Sequence, residues 1–391
     1  MKDETKVVHS GRHPERFEGA VNPPVFHAST ILSPTLDDYE GKNRLSAQDA
    51  PGTYYGRRGT PTTRSLEEAV ADIEGGYRAV VYPSGLAACA GALLSFLAAG
   101  DHLLMTDTVY GPTRKVTCGV LSRYGVTTTF FDPLIGQTIE SLIRPDTRVI
   151  YLESPGWLTF EMQDVPAIAR AAHRHGITVV IDNTWGTPLY FKPFEHGADV
   201  SVQAATKYIV GHSDAMLGTV TCTQEAWPKL RTTTYELGQT AGPDDVYLAQ
   251  RGLRTMAVRL KQHGEAGLAL AQWLSRQPEV ERVMHPALPG DPGHAIWKRD
   301  YLGCCGLFGV VFAPVGNRSF AAFADGLTLF GIGASWGGYE SLIMPANPAE
   351  YRSATPWPHA GPYLRFHAGL EAIDDLIADL EAGFARLRAA L

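Results

Sequence analysis

The chain has 391 residues, more than one hydrophobic core usually serves, so two packed units are expected. Hydrophobic residues make up 45% and charged residues 19%, the balance of a compact globular protein with a modestly charged surface. With a net charge of -7 and no basic run, neither nucleic acid nor an anionic membrane surface is expected as a partner.

No stretch reaches the roughly 18 uncharged apolar residues of a membrane helix. The first residues, MKDETKVVHS, have no apolar h-region or cleavage site. Cys89, Cys118, Cys222, Cys304 and Cys305 form no CxxC pair and are odd in number. They read as buried free thiols of a cytoplasmic protein.

Residues 1–60 are rich in Pro, Gly, Arg and Tyr without a steady period, which predicts an extended arm lying against something else. From 61 onward helices and strands alternate. TPTTRSLEEAVADIEGG opens with a threonine cap and Pro61 and closes on paired glycines, the punctuation of a helix. RAVVYPSG is a strand reaching a turn, and SGLAACAGALLSFLAAG a buried helix after it. DHLLM, VTTTFF, TRVIYLE, ITVVID, DVSVQA and GTVTCT read as further strands, with helices at GPTRKVTCGVLSRYG and DVPAIARAAHRHG. Short apolar strands separated by helices predict a mostly parallel α/β sheet covered on both faces, with its ligand beyond the strands' carboxyl ends. A long helical region over 244–277 leads to GLFGVVFAP, TLFGIGAS, YLRFHAG and a last helix, a smaller C-terminal α/β unit. The domains expected are 1–60, an arm; 61–250, the larger unit; and 251–391, the smaller.

The residues at the strand ends carry the chemistry. Lys207, in SVQAATKYIVGHSD, is either a snorkelling surface lysine or an amine held partly dry and available to a carbonyl. Asp182 ends ITVVID and is either a turn acid or a fixed charge facing a cationic ring nitrogen. A lysine and an acid at strand ends of one sheet are what pyridoxal 5'-phosphate requires. The turn YPSGLAACAG lets Gly85 and Leu86 aim N–H groups at a phosphate, with Thr206 adding a hydroxyl. Tyr110 is either an ordinary half-buried ring or one stacked on the cofactor. Arg365, flanked by apolar residues, needs an anion if it is buried, and a substrate carboxylate would serve. Tyr55, Arg57 and Arg58 sit in a turn that is either solvated or an anion site. No metal-ligand spacing is present.

The motifs TYYGRRGTPT, YLESPG, VIDNTW, VQAATKYIVGHSDAM, RGLRTMAVRLKQH and SWGGYESL, among others spread along the whole chain, resemble the Cys/Met-metabolism family of pyridoxal-phosphate enzymes, and within it the bacterial cystathionine beta-lyases. The resemblance implies an aspartate-aminotransferase-like fold (fold type I) and a homotetramer, a dimer of dimers with shared active sites. It implies a carbon–sulfur lyase that cleaves L-cystathionine to homocysteine, pyruvate and ammonia, with cysteine, cystine and other S-substituted cysteines as further candidates. Lys207 then matches the cofactor-binding lysine, Asp182 the partner of the ring nitrogen, and Tyr110 the stacked tyrosine. Gly85, Leu86 and Thr206 match the phosphate cup, while Tyr55 and Arg57 match residues that reach the neighbouring subunit's phosphate. Arg365 matches the carboxylate clamp and Ser335 the serine that helps place carboxylate and lysine. Arg58 and Trp336 match wall residues at the distal end of the substrate. Two positions depart from the pattern: Ala334 stands where a tyrosine is common, and Trp157 where a small polar residue is common.

Overall fold

A computed structural model describes all residues from Met1 to Leu391. Seven strands form the larger sheet: β1 (Arg78–Tyr82), β2 (His102–Thr106), β3 (Thr127–Phe131), β4 (Thr147–Glu153), β5 (Thr178–Asp182), β6 (Val200–Gln203) and β7 (Gly218–Cys222). Their order is β1-β7-β6-β5-β4-β2-β3. Only β7 runs against its neighbours, β1 and β6. All other pairings are parallel, so six strands point their carboxyl ends at one side of the molecule.

The apolar runs are explained by burial on both faces. Along β4, Ile150 and Leu152 enter one hydrophobic cluster, while Val149 and Tyr151 enter the other. On the first face lie Leu66, Val70 and Ile73 of helix Pro61–Glu74 and Ile168 of helix Val165–Arg174. On the second lie Ala88, Ala92 and Leu93 of helix Gly85–Phe96 with Trp227 and Leu230. Burying one such Leu or Ile side chain is worth about 1.5–3 kcal/mol, which is why the pattern alone specifies the layers.

Helix Pro243–Leu274 spans both units. Val246, Leu253, Met256 and Leu260 pack on the larger sheet, and Ala266, Leu270 and Leu274 on the smaller one. The smaller sheet contains β8 (Val280–Met284), β9 (Leu307–Phe312), β10 (Gly331–Ile332), β11 (Leu342–Ala346) and β12 (Tyr363–His367), ordered β10-β11-β12-β9-β8. It is mostly antiparallel, and the last helix, Ile373–Ala389, covers it through Leu376, Leu380 and Phe384.

Three expectations are corrected. The helix read into SGLAACAGALLSFLAAG stops at Phe96, where the chain turns extended at Leu97. TLFGIGAS contributes only the two-residue β10, because its glycines punctuate it. Cys118 is exposed and Cys304 partly so; only Cys89, Cys222 and Cys305 are buried. The first sixty residues also include two helices, Asp3–His9 and Leu36–Ala47, despite their irregular composition. No helix is long and apolar enough to cross a membrane.

Candidate active site

The carboxyl ends of the parallel strands open into a cleft of about 490 Å³ closed on its far side by the smaller unit. Gly85, Leu86, Tyr110, Asp182, Thr206, Lys207, Ser335, Trp336 and Arg365 all line it, so nine of the predicted residues meet in one place. Tyr55, Arg57 and Arg58 do not. Tyr55 is exposed on the arm, Arg57 donates to the Tyr235 carbonyl (2.9 Å), and Arg58 donates to Ser46 Oγ (2.7 Å).

At one end of the cleft, β1 turns into helix Gly85–Phe96. Ser84 caps it by accepting the Ala87 N–H (3.1 Å), while the Gly85 and Leu86 N–H groups have no acceptor within the chain. A helix of this length turns a partial positive charge toward such a site, which suits an anion. Gly85 has no room for a side chain: a Cβ there would stand 2.5 Å from the Ala204 Cβ. Thr206 is committed elsewhere, donating to the Leu217 carbonyl (3.1 Å) and accepting the Leu217 N–H (2.9 Å).

Asp182 ends β5 and is only 7% exposed. Its Oδ1 accepts the amide (3.0 Å) and the hydroxyl (2.5 Å) of Thr184, whereas Oδ2 faces only the weak thiol donor of Cys89 (3.7 Å). Burial pushes its pKa up, against the Thr184 hydrogen bonds and the Lys207 charge. A protonated ring nitrogen near Oδ2 would supply the missing strong donor.

Lys207 Nζ donates to Ser335 Oγ at 2.6 Å and lies 5.6 Å from the Trp336 ring centroid. Burial, reinforced by the nearby Arg365 charge, pulls its pKa down to about 8, so a neutral amine is available near neutral pH. Ser335 holds φ +102°, a conformation that non-glycine residues adopt only when the surroundings impose it. The loop is held from both sides. Arg365 donates to the Ser335 carbonyl (3.0 Å), and His367 Nε2 lies 3.1 Å from both the Gly337 N–H and the Gly338 carbonyl. Gly337 (φ +88°) passes so close to Lys207 that a Cβ would lie 2.8 Å from its carbonyl carbon.

Arg365 is 4% exposed and has no carboxylate partner; its hydrogen bond to Ser335 is the one its guanidinium makes. Burial lowers its pKa, the mark of a buried cation short of an anion. Tyr110 N-caps helix Gly111–Val116 and its ring stands edge-on to Trp157, with centroids 5.3 Å apart; Trp157 in turn meets Tyr351 at 5.0 Å. Burial raises the Tyr110 pKa, which rules against the phenolate as a base near pH 7.

Four residues of the cleft or its support went unassigned in the sequence. Glu153 ends β4 directly opposite Asp182 in register, and accepts the Tyr110 N–H at 2.6 Å. Burial, then the Asp182 charge, pushes its pKa up from the ordinary carboxylate value. Its position at a strand end is the same signal that marked Asp182. Ser84 was legible as a serine at a helix start. Cys89 and His367 act across the fold and carry no local signal.

The chain therefore places unanswered amides, a half-satisfied carboxylate, a lowered-pKa amine and an unpaired guanidinium around one cleft. These match the phosphate, ring nitrogen and aldehyde of pyridoxal phosphate and the carboxylate of an amino acid. Comparison with known proteins points the same way. The cystathionine beta-lyase MetC of Escherichia coli is 46% identical over 393 residues, covering 99% of each chain. The cystathionine beta-lyase of Salmonella typhimurium is 45% identical over 391 residues, covering 98% of each. The crystal structure of metB from Corynebacterium glutamicum superposes with a TM-score of 0.90 at 29% identity, covering 99% of this chain and 98% of that one. The family described as Cys/Met metabolism PLP-dependent enzyme matches residues 4–385, and with that span and those relatives this chain belongs to it.

Proposed function

We propose that the protein is a pyridoxal-phosphate-dependent carbon–sulfur lyase that converts L-cystathionine and water to homocysteine, pyruvate and ammonia. The observation that carries this reading is the unpaired Arg365 guanidinium in the same cleft as the Lys207 amine, an amino-acid clamp beside a carbonyl-reactive base. The names of relatives at 45–46% identity over almost their whole length support the choice of thioether.

Gly85 and Leu86 would hold the cofactor's phosphate. Thr206 would join them through its hydroxyl, which here is bonded to Leu217. Asp182 would hold the ring nitrogen through Oδ2, and Tyr110 would stack on the ring. When bound, the cofactor supplies an electrophilic aldehyde and a ring that accepts the electron pair released at Cα. Arg365, assisted by Ser335, grips the substrate's α-carboxylate and so fixes which way its Cα–H bond points. Lys207 removes that proton and delivers one to the departing sulfur, and a pKa near 8 suits both tasks. Ser335 Oγ keeps Nζ aimed between the two positions. Trp336 walls the thioether side.

The reading extends to assembly. Tyr55, Arg57 and Arg58 lie outside this chain's own cleft, on the arm, which supports a shared site in which they complete the cleft of a neighbouring copy in a homotetramer. Unpaired cysteines fit a cytoplasmic location. A unit boundary inside helix Pro243–Leu274, expected at residue 250, is supported by packing that changes from the larger unit, through Leu260, to the smaller, from Ala266.

The test is product identification from purified protein and L-cystathionine. Pyruvate with free homocysteine is expected; 2-oxobutyrate with cysteine would assign γ-cleavage instead, and neither pair would refute lyase action on this substrate.

A further inference from the structure

Resting on the lyase reading, we infer that Lys115 is a specificity residue that selects thioethers ending in an anionic group. Lys115 lies in the last turn of the short helix Gly111–Val116 that Tyr110 caps, is exposed, and lines the same cleft as Lys207. It has neither an ion pair nor a hydrogen bond within the chain, whereas its neighbour Arg114 is paired with Asp107 at 3.0 Å.

The charges of the cleft are few and lopsided. Its cations are Lys115, Lys207 and Arg365, and its acids are Glu153 and Asp182. Both acids end adjacent strands on the cleft floor and both have other partners: Glu153 the Tyr110 amide, and Asp182 Thr184 on one oxygen and, in the lyase reading, the ring nitrogen on the other. Burial pushes the Glu153 pKa up, which disfavours a negative charge there, and its carboxyl is already bonded to the Tyr110 amide. Arg365 and Lys207 are engaged with Ser335 and with the amino-acid end of the substrate. That leaves Lys115 as the one free charge this chain itself adds along its own cleft, beside the Arg58 a neighbouring copy would bring, and no carboxylate there to receive a distal ammonium.

Its surroundings set the rest of the ligand. Pro112, Trp157, Met216 and Tyr351 line the cleft with it, an apolar wall with Met216 62% exposed. An apolar wall that shares its cleft with an unpaired cation is complementary to a short alkyl chain ending in a carboxylate. Of the two charged groups at the distal end of cystathionine, the carboxylate is therefore the one this chain recognises.

Two probes separate those groups while keeping the cysteine half: S-(3-carboxypropyl)-L-cysteine and S-(3-aminopropyl)-L-cysteine. Each reacts with water to give pyruvate, ammonia and the corresponding thiol, so one pyruvate assay reads both. The ratio of kcat/KM, carboxypropyl over aminopropyl, is expected to exceed one in the parent. An exposed charge pair changes binding by about two- to fivefold, and the probes differ in sign, so Lys115→Met is expected to lower the ratio about fivefold. Lys115→Glu should lower it about 25-fold. Raising ionic strength should shrink the parent's preference more than that of Lys115→Met. Pyruvate from both probes with a ratio unchanged within twofold in both variants would overturn the assignment of Lys115 and leave the lyase reading standing. Pyruvate from neither probe nor from cystathionine would overturn the lyase reading, and this one with it.

Discussion

Arg365→Met should move stability and activity in opposite directions. The parent guanidinium is 4% exposed, has no counter-charge and makes one hydrogen bond, to the Ser335 carbonyl at 3.0 Å. Losing that charge-assisted bond costs about 1.5–3 kcal/mol. Removing an unpaired charge from the interior returns several kcal/mol of desolvation, and apolar replacements of buried ionic groups are often stabilising by about 1–4 kcal/mol. The net expectation is a urea midpoint equal to or above the parent's. Catalysis should suffer badly. Truncating one partner of a buried charge pair costs about 2–5 kcal/mol, which is roughly 30- to 4,000-fold in kcat/KM. The loss should be specific to the α-carboxylate: the parent should discriminate strongly against the α-carboxamide of the substrate, and the variant should not. A lowered urea midpoint together with an unchanged KM and retained discrimination would refute the clamp and make Arg365 a structural residue.

Lys207→Ala should bring turnover to background and remove the visible absorbance of the bound cofactor; near-parental rates would exclude this lysine as the base. Gly337→Ala should yield a soluble protein impaired by about a hundredfold, since a Cβ 2.8 Å from the Lys207 carbonyl carbon at φ +88° must displace the loop carrying Ser335. An active variant would show that the loop is compliant. His367→Leu leaves the buried Gly337 N–H unanswered, at a cost of about 1–3 kcal/mol, and should lower kcat more than it raises KM because Ser335 loses its support. Equal loss of both, or of neither, argues against a positioning role. Glu67, whose carboxylate accepts the Val81 N–H, is pushed by burial from 4.5 up to about 8. Between those values the folded chain keeps a proton that the unfolded chain has released, so stability falls as pH rises through that window. In Glu67→Gln the difference between the urea midpoints at pH 5 and pH 8 should shrink, and an unchanged difference would place the titration elsewhere.

The readable part of this protein is the part encoded by local pattern. Doubly buried parallel strands show as apolar runs, so a polar residue at the end of such a run marks the floor of a cleft, and Asp182 was legible for that reason. Lys207 was legible because an amine between small and apolar residues is costly unless used. Glu153 obeys the same rule, one strand over and in register with Asp182, and was passed over because it has no motif partner that names a role. The arm's Tyr55, Arg57 and Arg58 were placed only by resemblance, since nothing within one chain says where they point.

Residues that act through distant contacts are illegible for a deeper reason. Cys89 reaches Asp182 from the opposite helix, and His367 holds a loop thirty residues upstream. Each looks like ordinary core until the fold brings its partner near. Those contacts also decide how the legible residues behave. The 335–338 loop, held by Arg365 and His367, sets Ser335 against a Lys207 that is largely buried, unlike the bland alternative its sequence context left open. The strand ends specify which groups meet, and the smaller unit brings Ser335 and Arg365 against them, where burial and then the Arg365 charge lower the amine's pKa.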